Sequence, residues 1–231
     1  MQPEFQPNRI DLTLSTILVL FFPFLAGLLF QITGALLPMC IYYGLAWGIV
    51  KWRRGATGYF NKFKKKYPWS FFLNLIIILS SMVFVYFGRI VHSSNPTGIL
   101  LTALIWAPIN AASEQLLWIY IFESWDLYFI ENRNEEDMKK NKILFRIIGL
   151  ILFTAFVGTI HTFFWTQFLH IVDPGTIFGI IFVLLTTISG FLHIVVWRRS
   201  NQMILTFIPH LILNFIPTFL TGYSIIFFLL P

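Results

Sequence analysis

Seven apolar runs, each long enough to cross a bilayer, dominate this chain. About 20 apolar residues span the hydrocarbon layer, and such runs occur at 12–30, 33–50, 69–88, 98–122, 145–164, 176–197 and 203–230. No soluble domain of 231 residues could hide a composition that is 57% hydrophobic and 11% charged. The spacing predicts an all-α polytopic membrane protein, a bundle of about seven transmembrane helices, with six to eight as the range. Only Gln31-Ile32-Thr33-Gly34 separates the first two runs, so they are expected to form a tight helical hairpin or one broken element. Residues 1–96 read as N-terminal membrane helices with a basic loop. Residues 97–231 read as the helical core that carries the chemistry.

Charge placement sets the orientation. With the N-terminus in the cytoplasm and the runs alternating, Arg9, the bases of 51–66, the bases of 133–146 and the pair Arg198-Arg199 all fall inside. Of the 16 basic residues, only Arg89 falls outside. So clean a separation follows the positive-inside rule. It places the N-terminus in the cytoplasm, the C-terminus outside and the chain in the cell membrane. The net charge of +6 is thereby spent on orientation. The acid-free loop 51–66 is expected to meet anionic lipid head groups rather than nucleic acid. The second polar loop, 123–142, reads as a solvated helical loop. The polar lead 1–11 before a span-length run is not the pattern of a cleavable signal peptide. A single cysteine, Cys40, excludes a disulfide framework and a cysteine-based metal site.

Within this apolar frame a few polar residues carry information. Glu114 lies inside the run 97–125. A charged side chain there costs roughly 3 kcal/mol on insertion scales, so such residues usually face a bundle interior and serve function. His161 ends the run 151–160. His210 and Asn214 stand four apart, on one face of a helix. At 1.5 Å per residue, the three helices carry His210, Glu114 and His161 to depths of roughly 10, 12–17 and 20 Å from the basic side. Asn110 is one turn before Glu114 and on its face, able to hold the carboxylate. His193 reads as an interface histidine near the inner end of its run, and His92 and His170 as external-loop residues without a catalytic part. Trp106, Trp118, Trp165 and Trp197 read as packing or interface anchors.

These groups suit water-mediated attack on a carbonyl. A carboxylate in a low-dielectric pocket is a usable general base, and a neutral imidazole can orient the same water. A second imidazole and an amide can donate to the oxyanion; one such donor is worth about 3–4 kcal/mol. Pro209 removes a backbone donor beside His210, and the helix is expected to kink or open there, with Pro217 acting alike further out.

In these residues the chain resembles the CAAX-protease and bacteriocin-processing group of intramembrane proteases, which includes the type II prenyl-protein endopeptidases. That family's pattern is a Glu-Glu pair followed four residues later by Arg, then Phe-x-x-x-His, then His-x-x-x-Asn in a late helix. Here Ser113-Glu114-Gln115 takes the first place. Phe156-Val157-Gly158-Thr159-Ile160-His161 takes the second, and His210 to Asn214 the third. Trp197-Arg198-Arg199-Ser200-Asn201-Gln202 is similar to the short cytoplasmic turn before it. The likeness covers 110–217, about half the chain. It departs where the second Glu is Gln115, where the Arg position is Ile119, and where Phe156 stands one residue too far from His161. The resemblance implies that Glu114 activates water with help from His161, and that His210 and Asn214 form an oxyanion hole, with Gln115 and Asn110 in support. It implies an endopeptidase without a metal, acting on a membrane-associated polypeptide such as a prenylated C-terminus or a leader peptide. Zinc held by Glu114, His161 and His210 is the alternative on the cofactor side. On the functional side the alternatives are an inactive relative acting in binding or immunity, and a small proton-coupled transporter.

Overall fold

The computed structural model describes residues 5–62, 67–128 and 135–229. Among them the chain forms an all-α polytopic bundle of seven helical rods. Helices α1 (Arg9–Thr33), α2 (Leu36–Arg54) and α3 (Trp69–Gly88) come first. The fourth rod joins α4 (Pro96–Leu101) to α5 (Ala107–Asp126) through a π-helical stretch, Thr102–Trp106. The fifth is α6 (Glu135–Phe163), prolonged by a second π stretch, Phe164–Phe168. Helices α7 (Ile177–Ser200) and α8 (Ile204–Thr221) complete the bundle.

Six rods are long and apolar enough to cross a membrane. The exception is α2, where Tyr42, Tyr43 and Trp47 in the body and Lys51, Arg53 and Arg54 in the last turn dilute the apolar content. Large apolar side chains such as Phe24, Ile76, Ile151 and Leu184 point outward, as a lipid-facing surface requires.

Proline explains the first π stretch. Pro108 has no N–H for the turn before it, and its ring would crowd the carbonyl four residues back. The backbone widens over the preceding turn, and the Ala107 N–H reaches back to the Thr102 carbonyl. In α8 the helix runs on through Pro209 and Pro217.

The helices gather their polar residues at two ends. At the basic end, Arg53 grips Asp11 with two bonds of 2.8 Å, and Tyr120 donates to the same carboxylate. Arg54 pairs with Glu123 at 3.1 Å, and Asp126 receives both Arg146 and Arg198. The expected solvated loop at 123–142 is therefore corrected at its start. Glu123 and Asp126 belong to α5 and are buried, because arginines from other helices compensate them. Residues 129–134 lie outside the described residues. Likewise Lys51, Arg53 and Arg54 of the basic loop belong to α2, and both arginines are committed to acids within the protein.

At the opposite end, Arg89 and Val172 form an isolated bridge, and His92 meets the His170 carbonyl at 2.9 Å. The last apolar run does not continue to 230. It stops at Thr221, where Gly222 (φ +66°) caps the helix in a conformation open to glycine. A short 3-10 turn, Ile225–Phe228, then folds across the end. There Phe228 and Leu229 accept from Ala35 and Leu36, and the Thr102 hydroxyl accepts from Ile225. The tail thus fastens the α1–α2 turn, which is a tight hairpin through Gly34 (φ +72°).

Candidate functional site

Glu114 sits in the middle of α5, 1% exposed. Its carboxylate Oε2 lies 3.2 Å from His210 Nε2 and accepts from the Asn110 amide at 3.1 Å. The Asn110 oxygen in turn accepts from the Tyr43 hydroxyl at 2.7 Å. A directed chain therefore runs from Tyr43 of α2 through Asn110 to the acid. Asn110 reaches Glu114 because residues four apart share a helix face. His210 reaches it because α8 packs against α5.

Trp118, one turn beyond Glu114, is the floor of the site. Its ring stacks on His210 at 4.8 Å and meets His161 and His193 edge-on at 5.2 and 5.9 Å. Its indole N–H is satisfied by the Tyr42 hydroxyl at 2.8 Å. Three of the five histidines thus surround one indole. The other two, His92 and His170, meet at the opposite end.

The structure brings Glu114 and His210 into contact and places His161 beside them across Trp118. Two expectations change. His161 makes no hydrogen bond to Glu114, and neither of its ring nitrogens has a hydrogen-bond partner among the described residues; its ring meets Trp118 edge-on. The Nε2 of His210 faces Glu114 rather than an open oxyanion position, while its Nδ1 is buried with no hydrogen-bond partner of its own among the described residues. Asn214 is 1% exposed, and neither end of its amide has a partner among the described residues. Buried polar atoms are nearly always satisfied. An acid oxygen, three ring nitrogens of His161 and His210, and a whole amide, all without partners among the described residues, can accept hydrogen bonds from, and donate them to, a group placed among them.

His193 is also corrected. It is buried at 1%, not interfacial. Its Nδ1 lies 2.6 Å from the Ser189 carbonyl and 3.2 Å from the Asn74 side chain, and its ring is 5.6 Å from that of His210. Asn74 is itself held by Ser189. The tie between α3 and α7 thereby backs the site from behind.

Gln115, in the second place of the motif, points to the other flank of α5. Its amide donates to the Tyr59 hydroxyl at 2.6 Å, and that hydroxyl donates to the Ala112 carbonyl at 2.7 Å. Burial pushes the Tyr59 phenol well above its ordinary range, so it remains a donor at neutral pH. Tyr42, Tyr43 and Tyr59 escaped the reading of the sequence. The signal available was the pair Tyr42-Tyr43, two polar tips inside an apolar run, which usually seek partners when buried.

Asp11, Glu123 and Asp126 each face arginine. For Glu114 the recorded partners are an imidazole and an amide. Three acids are thus held by full positive charge, and one is held by an amide that carries no charge and an imidazole that can exchange a proton. No group of three His, Cys, Asp or Glu side chains gathers as a metal site among the described residues. No family model, curated protein or solved structure matches this chain.

Proposed function

We propose that the protein is a multi-pass hydrolase of the cell membrane, with its N-terminus in the cytoplasm, that cleaves a peptide bond of a membrane-associated polypeptide. In this reading it is a divergent member of the CAAX-protease and bacteriocin-processing group. The observation that carries it is the buried Glu114 carboxylate, in contact with His210 and flanked by further polar groups that have no partner among the described residues.

The mechanism follows from the groups present. Water adds to the scissile carbonyl carbon as its proton passes to Glu114. Asn110, fixed by Tyr43, holds the carboxylate in place. The Asn214 amide donates to the oxygen that becomes negative. Collapse of the tetrahedral species breaks the C–N bond, and the proton held by Glu114 leaves with the amine. His161 has an open ring nitrogen with which to orient the water. His210 stabilises the acid in the resting site and is freed to donate elsewhere once Glu114 is protonated. Nothing in this scheme requires a metal, and zinc remains the alternative on Glu114 and the histidines.

In the loop 51–66, Lys51 and Lys62, in no ion pair among the described residues, are exposed at the end expected to face anionic head groups. Lys64, Lys65 and Lys66 lie outside the described residues.

The test is a comparison of new N-termini in membranes from cells making the wild-type chain or Glu114→Gln, which keeps shape and removes the base. Cleavage sites present with wild type and lost with the variant are the expected result. Identical sets of N-termini would overturn the reading.

A further inference from the structure

Glu114, His161, His210 and Asn214 are each 1% exposed, so a polypeptide can reach them only if some element moves. Most of what surrounds them is helix packed on helix. One flank differs. Residues 55–62, between α2 and α3, are not helical, and they run under α5 at the basic end.

This segment is held by a short set of contacts that converge on the motif helix. The Tyr59 side chain packs against α5 at Ala112 and Gln115. Its hydroxyl bridges the Ala112 carbonyl and the Gln115 amide, the residues two before and one after the acid. Trp47 stacks on Tyr59 at 5.8 Å and donates to the Ser113 hydroxyl at 2.9 Å. Phe207 of α8 meets Tyr59 edge-on. Further along, Gly58 accepts from Met203, Asn61 donates to the Asn201 carbonyl at 2.6 Å, and Gln202 donates to the Lys62 carbonyl. The segment thereby spans from α2 to the α7–α8 turn, across the Ala112–Gln115 stretch of α5.

It also has pivots. Gly55 ends α2 at φ +72°, and Gly58 has φ +86°. A Cβ at Gly58 would lie 2.5 Å from the Trp197 ring, so glycine is needed there both for its φ and for the close approach. Above Gly55, the last turn of α2 is fixed by Arg53 on Asp11 and Arg54 on Glu123. Movement can therefore begin at Gly55 without disturbing the helix. A groove lined by Trp47, Lys51, Gly55, Thr57, Phe60 and Asn61 follows the segment's outer side, and Phe60 at its tip is 98% exposed.

We propose that residues 55–62 form a lid over the path from the basic end to Glu114, with the Tyr59 ring as its plug and the Gln115 amide as its latch. The lid gives Gln115 a task that an acid in its place would do differently, since the amide donates where a carboxylate could only accept. The purpose of the lid rests on reading Glu114 as the reacting group; its existence does not.

Thiol labelling tests it without any need for cleavage. Cys40→Ser removes the sole native thiol, and Glu114→Cys puts a reporter where the carboxylate stands. A small water-soluble methanethiosulfonate is then applied to the purified chain in detergent. With the lid intact, labelling is slow. Added Tyr59→Ala or Gln115→Leu raises the rate on the order of tenfold, the scale set by losing one or two hydrogen bonds, and Tyr59→Phe gives a smaller rise. Should Tyr59→Ala fail to fold, Tyr59→Phe and Gln115→Leu decide. Rates equal to the lid-intact chain in folded Tyr59→Phe and Gln115→Leu would overturn the lid. Loss of cleavage in Glu114→Gln reports on the hydrolytic reading alone, so either inference can fall while the other stands.

Discussion

At the scale of single residues, the difference between Glu114 and the other buried acids has a measurable consequence. Asp11, Glu123 and Asp126 are stabilised by arginine, whereas Glu114 is held by neutral groups and remains expensive to bury. Glu114→Gln is therefore expected to keep or raise the resistance of the detergent-solubilised chain to unfolding while it abolishes cleavage. A fall of more than about 1 kcal/mol in an SDS-unfolding titration would mean that the acid is structural. Asn110→Ala should behave in the opposite sense. It leaves the Tyr43 hydroxyl and the carboxylate without their shared partner, costing about 1–3 kcal/mol, and it lowers activity by misplacing the base. The burial of Glu114, His161, His210 and Asn214 was legible because polar letters stand out in apolar runs. His193 was misplaced because its closeness to the end of a run suggested an interface, while burial depends on the neighbours Asn74 and Ser189. Tyr59 was illegible for the same reason: its partner Gln115 is 56 residues away.

At the scale of elements, the arginine–acid pairs are the pins of the basic end. Asp126 is nearly fully buried, while Arg146 and Arg198 are 44% and 38% exposed at the side chain. The cost of breaking this trio depends on which partner goes. Asp126→Asn leaves two arginines with access to water and should cost about 1–2 kcal/mol. Arg146→Met with Arg198→Met strands a buried carboxylate and should cost about 3–5 kcal/mol. Equal losses in the same SDS titration would contradict the asymmetry. The helices themselves were readable from apolar length, and six of the seven rods followed it. The boundaries at 123–142 were not, because their charges are neutralised by residues distant in the chain rather than by loop solvent. The last helix ended early because Gly222 takes a left-handed cap against the His92 backbone, a contact that no local pattern announces.

At the scale of the whole molecule, the polar ends and the outward apolar surface define one crossing direction for each rod. The seven rods place the start of α1, beside the Asp11–Arg53 pair, and the end of α8, beside His92, at opposite ends of the bundle. Short tags at the N- and C-terminus should accordingly label from opposite sides of sealed, oriented vesicles, and labelling of both from one side would refute the arrangement. The basic residues made this legible, because Arg9, the end of α2, Arg146 and the end of α7 gather at a common end in the folded chain. The convergence of the site was legible only in outline. Similar depths along three helices do not say which faces meet, and it is the packing of α8 on α5 that brings His210 onto Glu114.

The wide turn at Thr102–Trp106 sets the azimuth of everything that follows it. Each residue of an α-helix turns the chain by about 100°, so a wide turn that absorbs one extra residue works as a phase shifter between the outer and inner halves of the rod. Were the same residues to wind as an ordinary α-helix, as Pro108→Ala would allow, the rod would still cross the bilayer. Yet the change would swing the carboxylate by roughly a quarter-turn, out of reach of the imidazole on the neighbouring rod. Length and hydropathy would survive such a rewinding, but the alignment of Glu114 with His210 would not.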